Sequence, residues 1–276
     1  MRRRGVLALG AAGLALAAAG IGAADYRGTQ TAARAAIAAA GRAQVAPTRH
    51  GPCEYAEAGA GPPVLMIHGT GGGYDQGLLF ARRLIAAGFR VIAPSRFGYL
   101  GTPFPADPGP EAQADALAFA LRHPARTAAL VPIVPATHVP GRPAPPPPDA
   151  VAAWIIARGL RSDALIWAGV RLAPDRMIAT LLATDPALVH AAAPDERARV
   201  MAILHGILPV SLRYRGLLND ARWAADPPPY PLAAIAAPTL AVSLEDDRFG
   251  TAAAARHIAA TVPGADLLML PSGGHV

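Results

Sequence analysis

Three short stretches of this chain hold residues whose type and spacing could do chemistry. The first is His68-Gly69-Thr70-Gly71-Gly72-Gly73. A glycine-rich turn lets backbone N–H groups converge on a small volume, and donors fixed before charge develops can stabilise an oxyanion. A tight turn that merely needs positive φ would use the same residues. A phosphate-binding loop would need a Gly-Lys-Ser/Thr or Gly-x-Gly-x-x-Gly ending, and none follows. The second stretch is Leu244-Glu245-Asp246-Asp247, and the third is Pro271-Ser272-Gly273-Gly274-His275. An acid that orients an imidazole lets the imidazole act as general base. Taken singly, an acidic loop is usually solvated and a terminal histidine usually inert, so the placement of the two decides their meaning.

The elements around these stretches supply that placement. Pro63 to Ile67, Phe89 to Ala93 and Leu130 to Val134 are continuous apolar runs of strand length, the pattern of strands buried on both faces. Thr239 to Ser243 and Asp266 to Leu270 read as two more strands. Val45 to Thr48 and Pro52 to Glu57 form a short pair before them. Helical patterns fall between, at Leu78 to Ala87, Glu111 to His123 and Thr251 to Val262. Strand and helix in alternation predict an α/β fold with a doubly wound, mostly parallel sheet. In such sheets ligands bind beyond the carboxyl ends of the strands. All three chemical stretches lie directly after a strand.

The alternation stops between two proline clusters, Val139 to Pro148 and Pro227 to Pro231. Asp149 to Arg158, Asp163 to Leu172, Pro174 to Ala183 and Pro194 to Leu208 read as helices without strands between them, a cap or lid inserted before the last two strands. Its Trp154, Ile166, Trp167, Leu181 and Leu182 could line an apolar pocket, or could pack the cap helices on one another.

At the N-terminus, Arg2-Arg3-Arg4 precedes an uncharged run from Gly5 to Ala24. This is the charge-then-apolar order of an export signal, with small residues at Ala17 and Ala19 or at Gly22 and Ala24 for cleavage. The run is also long enough to span a bilayer uncleaved. The expected divisions are 1–24 signal or membrane anchor, 25–43 helical linker, 44–138 first part of the core, 139–231 cap and 232–276 second part of the core. The expected location is outside the cytoplasm, exported or anchored through residues 5–24. Of the formal charge of +6, the three leading arginines supply half, and no basic stripe interleaved with aromatics points to nucleic acid. The single cysteine, Cys53, can form no internal disulfide, and no Cys/His spacing resembles a zinc site. No metal or organic cofactor is implied.

From Gly51 to His275 the chain resembles an α/β-hydrolase-fold enzyme of the lidded serine-hydrolase type. The resemblance rests on the His68-Gly69 turn, on Val91-Ile92-Ala93-Pro94-Ser95-Arg96-Phe97-Gly98-Tyr99 and on the Gly-Gly-His setting of His275. It implies an oxyanion loop at His68, Gly69, Thr70 and Gly71, with Thr70 giving the first N–H. It makes Asp247 the triad acid, with Asp246 a close second, and His275 the triad base. The implied reaction is hydrolysis of a carboxylic ester or similar acyl compound, and the implied partner a small apolar acyl or ester substrate.

One part of that resemblance is missing. The family places a Gly-x-Ser-x-Gly elbow after a strand between the second and third buried strands. The chain has five serines, Ser95, Ser162, Ser211, Ser243 and Ser272, and none lies in such a motif. The helices before and after the elbow look fused near Leu117-Ala118, a loss of roughly 20 to 30 residues by ordinary element lengths. Asp75 in Gly73-Tyr74-Asp75-Gln76-Gly77, Ser95 and Cys53 are weak substitutes, and no nucleophile is assigned. Without the lost strand, Leu130 to Val134 must pair beside Val64 to Ile67, or the sheet has a gap. The chain could then be a non-catalytic exported ligand-binding protein, or a damaged or truncated hydrolase. The end of the chain one residue past His275 favours the latter.

Overall fold

A computed structural model describes residues 2–109, 112, 126–143, 156–225 and 227–276; for residues 2–17 and 225 it describes the backbone only. The expected Glu111–His123 helix, the fusion near Leu117-Ala118 and most of the Asp149–Arg158 helix lie outside the described residues. Helix α1 (Arg2–Ala40) runs unbroken through both the expected signal and the expected linker. Its second half packs on the body: Tyr74 Oη donates to Ile37 O (3.0 Å), Tyr26 meets Trp167 edge-on, and Asp25 pairs with Arg171 at 3.1 Å.

β1 (Gln44–Thr48) and β2 (Gly51–Ala58) form an antiparallel hairpin. Thr48 Oγ1 donates to Gly51 O (2.7 Å) and accepts from His50 N (3.1 Å), a side-chain brace of the turn. β3 (Pro63–Leu65) and β4 (Arg90–Pro94) follow, with α2 (Tyr74–Ala86) as the crossover between them. β4 lies between β2, antiparallel, and β3, parallel. Val91 and Ala93 of β4 are fully buried against Leu78 and Ala81 of α2, the core of this half.

The cap begins with α3 (Asp163–Leu172), α4 (Pro174–Leu181), α5 (Pro186–Ala191) and α6 (Pro194–His205). Local chemistry sets their starts: Ser162 Oγ accepts from Leu165 N, Asp185 accepts from Ala187 N, and prolines stand in the first turn of α4, α5 and α6. A further helix, α7 (Tyr214–Ala225), was not read from the sequence. Among the described residues no strand occurs between Ile156 and Pro229. The cap has its own core, built on Ile166, Ile178, Leu182, Val200, Leu204 and Leu208. Trp167 and Leu181 pack against that core, so these side chains serve cap packing rather than an open pocket.

β5 (Leu240–Leu244), α8 (Thr251–Thr261) and β6 (Asp266–Leu270) close the chain, with β5 and β6 parallel. Ala241, Ala255 and Ile258 form the core of this half.

Two expectations for the sheet need correction. Pro63 to Ile67 and Leu130 to Val134 are not buried on both faces: Leu65 is 45%, Ile67 41%, Val131 49% and Ile133 58% exposed. Leu130–Val134 makes only isolated parallel bridges, Leu130 to Thr239 and Ile133 to Val242, and does not pair with β3. The described sheet is therefore in two parts, four strands and two strands. The physical reason is the one the sequence raised: no described strand stands between them to cover either edge.

Candidate functional site

The three chemical stretches all sit on loops that follow strands. His68 is buried, and both ring nitrogens are used. Nδ1 lies 2.6 Å from Gly69 O, so it carries the proton, and Nε2 accepts from Arg96 N at 2.9 Å. Burial, helped by the nearby Arg96 charge, pushes its pKa well below the usual histidine value, so the ring is neutral and holds the turn. Gly72 is required here, because a Cβ would come within 2.3 Å of Gln76 Oε1 and 2.7 Å of His68 Nδ1.

Thr70 and Gly71 are tied to the cap through Asp220 on α7, a residue the sequence reading missed. Asp220 accepts from Thr70 Oγ1 (3.1 Å) and Tyr99 Oη (2.6 Å) and pairs with Arg96. Tyr99 Oη in turn accepts from Gly71 N at 3.2 Å. Burial drives the Tyr99 phenol well above its ordinary pKa, and the Asp220 charge adds to it, so it stays a donor. Burial opposes the charge on Arg96, but Asp220 outweighs it and raises the guanidinium pKa. Among the described residues no hydrogen bond goes to Thr70 N–H, which leaves that donor open.

A second clamp joins the same loop to the cap. Arg213, just before α7, is fully buried, and it was not singled out from sequence either. It donates to Gly72 O (2.5 Å) and pairs with Asp75 at 2.7 Å. Its signal in the sequence is faint, since one arginine among many scattered ones marks nothing until the fold buries it.

Asp246 and Asp247 divide the work at the other end. Asp247 is buried, and His275 Nδ1 donates to its Oδ2 at 2.8 Å. Thr251 Oγ1 donates to the same oxygen, and Phe249 N donates to Oδ1 at 2.8 Å. Burial works against ionisation of Asp247, but the bonds from His275 and Thr251 outweigh it and hold its pKa below the usual carboxylate value. Asp246 does not touch His275. It accepts from Ser272 Oγ (3.0 Å), Gly273 N (3.1 Å) and Gly274 N (3.0 Å), and these bonds lower its pKa against a desolvation cost. Asp246 thus shapes the turn that presents His275. Gly274, at φ +78°, could carry no Cβ without striking Thr184 at 2.4 Å. Thr184, from the cap, accepts from His275 N at 2.9 Å, and Phe249 stacks edge-on against the imidazole at 4.7 Å.

With Nδ1–H held by Asp247, the free lone pair of a neutral His275 is on Nε2, the arrangement of a general base. Among the described residues no hydroxyl or thiol bonds to that nitrogen. The weighed substitutes are engaged elsewhere. Ser95 is fully buried, accepts from Tyr74 N and donates to Glu54; Asp75 pairs with Arg213; and burial raises the Cys53 thiol pKa.

Fold and site order together define the class: the chain is an α/β-hydrolase-fold protein. Its structure is similar to an α/β-hydrolase fold protein from Nakamurella multipartita, at 27% identity and a TM-score of 0.65, covering 84% of this chain and 91% of that one. It is also similar to a membrane phospholipase A described as a bacterial virulence factor, at 21% identity and a TM-score of 0.58, covering 100% of this chain and 92% of that one. A bromoperoxidase from Bacillus anthracis matches at 18% identity and a TM-score of 0.55, over 84% of this chain and 92% of that one. No family model matches the sequence, and no curated protein sequence matches it.

Proposed function

We propose that this site descends from a serine hydrolase that cleaved a carboxylic ester or similar acyl substrate, and that this chain does not perform the reaction. The single observation that carries the proposal is the 2.8 Å bond from His275 to buried Asp247, with no hydroxyl partner at Nε2 among the described residues. In the full reaction Asp247 orients the imidazole and balances its charge, Nε2 takes the proton of an attacking hydroxyl, and Thr70 N–H meets the developing oxyanion. Among the described residues each of those groups is present except a hydroxyl bonded to His275 Nε2. A base accelerates attack only when a nucleophile stands within about 3 Å. The absent elbow motif would also supply a second oxyanion N–H, from the residue after the nucleophile, and loss of one such donor costs on the order of 10² to 10³ in rate.

The proposed substrate class is small, apolar and acyl, with no nucleic acid and no cofactor. The proposed divisions are those of the sequence reading, with 139–231 as cap. The proposed location is exported or held at a membrane through residues 5–24, supported by the Arg2–Arg4 cluster before an uncharged run. Among the residues whose side chains are described, no helix is long and apolar enough to cross a membrane.

The test of activity uses the full chain, short acyl nitrophenyl esters and His275→Ala as control. The expected result is no difference between the two. Hydrolysis well above background that His275→Ala abolishes would overturn the proposal. A second reading, a hydrolase that has lost an internal segment, is favoured by the two uncovered sheet edges at Leu65–Ile67 and Val131–Ile133. Resequencing the locus across Leu117–Ala118 checks it.

A further inference from the structure

Helix α3 is apolar even on the face that a surface helix keeps polar. Of its ten residues only Asp163 and Arg171 carry charge, and both are engaged within the protein. Asp163 accepts from Ser211 N (2.8 Å) and Ser211 Oγ (2.7 Å), and Arg171 pairs with Asp25 of α1 at 3.1 Å. Ile166 and Val170 are buried in the cap core. Leu165 and Leu172 stand two turns apart and so share another face. They are 58% and 82% exposed.

Contact with α1 fixes the level at which that face lies. A Cβ on Gly22 would stand 4.0 Å from the Trp167 ring, Tyr26 meets the same ring edge-on at 5.5 Å, and Asp25 holds Arg171. Helix α3 therefore meets α1 where the uncharged run from Gly5 to Ala24 ends. Ile21, in the last turn of that run, is 73% exposed. As helix, a run of this length is about 30 Å long, the thickness of a bilayer's hydrocarbon core. Its end is then the level of the membrane surface, where rings such as Trp167 and Tyr26 settle. Arg27, exposed just past the run, suits anionic headgroups at the same level.

We propose that α3 lies against the bilayer that holds α1, with Leu165 and Leu172 sunk into the boundary between headgroups and acyl chains. The membrane is then a partner of the cap as well as of the N-terminal helix. The proposal rests on the reading that residues 5–24 hold the chain at a membrane. Lipid is the occupant because the face adjoins the end of a run already suited to acyl chains. The polar groups of α3 are spent on Ser211 and Asp25, so nothing on the face opposes its burial in lipid.

The test uses the full chain carrying Cys53→Ser, so that a bimane label sits only at Leu165→Cys or at Leu172→Cys. Each variant is reconstituted in vesicles of phosphatidylcholine and phosphatidylglycerol, with far-UV circular dichroism confirming that it folds. Flotation with the vesicles reads the anchor, and the bimane reads α3. The expected result is flotation, a blue shift of the label at both positions and loss of its emission to nitroxide lipids. Nitroxides near the headgroup should quench more than nitroxides deep in the acyl chains. Flotation with either label still in water would overturn the proposal and leave the anchor standing. A blue shift that nitroxide lipids do not quench would mean that protein, such as a second copy, covers the face, and would also overturn it. A chain that does not float would overturn the anchor and this proposal together.

Discussion

The loop at His68–Asp75 and the sheet edge at Leu65–Ile67 are neighbours in sequence and opposites in satisfaction. In the loop, His68 uses both ring nitrogens, Tyr99 and Asp220 tie Gly71 and Thr70 to α7, and Arg213 clamps Gly72 and Asp75. A few residues earlier, Leu65 and Ile67 stand exposed beside an edge with no described neighbour. The contrast teaches that the site loop is held by the cap and not by continuity of the sheet. The same holds at the far end, where Thr184 of the cap accepts from His275 N. Such an arrangement keeps the geometry of a site even where the sheet beneath it is open.

The comparison is broken most severely at Arg213. Arg213→Met removes a fully buried cation and leaves Asp75 without its partner. Breaking a buried pair from one side costs about 3 to 5 kcal/mol, so the urea midpoint should fall steeply with little change in slope. A loss below about 1 kcal/mol would show that the clamp does not hold the loop.

Asp247→Asn comes next. The amide can offer His275 an N–H, so Nδ1 loses its reason to stay protonated. Loss of a charge-assisted bond costs about 1.5 to 3 kcal/mol. Nitrogen NMR of the imidazole should show a shift from the Nδ1–H form towards the other tautomer. An unchanged spectrum would mean that Asp247 does not set the tautomer.

Acid should sharpen the same point with a smaller effect. The carboxyls of Asp246 and Asp247 lie below their ordinary pKa when folded. Their contribution is therefore complete above the unfolded value of about 3.9 and is lost as pH falls through the lower folded values. Hydrogen exchange at Gly273 and Gly274, whose amides donate to Asp246, should retain its protection at pH 5, apart from the intrinsic rate, and lose it only as pH falls below the ordinary carboxylate range. Asp246→Ala with unchanged protection at Gly273 and Gly274 would show that Asp246 does not shape the turn.

On the open edge the expected effect is the smallest. Val131→Lys replaces a side chain already half exposed, so stability should move by no more than about 0.5 kcal/mol. Solubility should rise, since exposed apolar edges promote association. A loss of several kcal/mol would mean that Val131 is covered in solution, and would contradict the contrast from which the prediction comes.

Local pattern determined a good deal by itself. Asp163–Leu172 and Asp266–Leu270 run between the residues the sequence marked, and Pro174 and Pro194 open helices where expected. Apolar periodicity and proline placement are local, and they act within a few residues. The loops after the strands were legible for the same reason: Gly-Gly before His275 and a glycine run after His68 break the strand pattern and permit the positive φ that Gly71 and Gly274 adopt. That no Gly-x-Ser-x-Gly motif stands in the chain is likewise read directly from adjacent residues.

Only the tertiary structure decided which acid meets His275. Asp246 and Asp247 are adjacent and chemically alike, and a turn of the backbone gives one the imidazole and the other the glycine amides. It also decided that Asp220 and Arg213, about 140 to 150 residues away in sequence, brace the loop at Thr70 and Gly72. Their charges look like ordinary surface charges until α7 brings them against that loop, and desolvation there makes each pair matter. The sheet shows the limit from the other side. Leu65 and Val131 have the apolar character of buried strand residues, yet they are exposed. A residue's own hydrophobicity states what burial would gain, but a neighbouring strand has to be present to provide it.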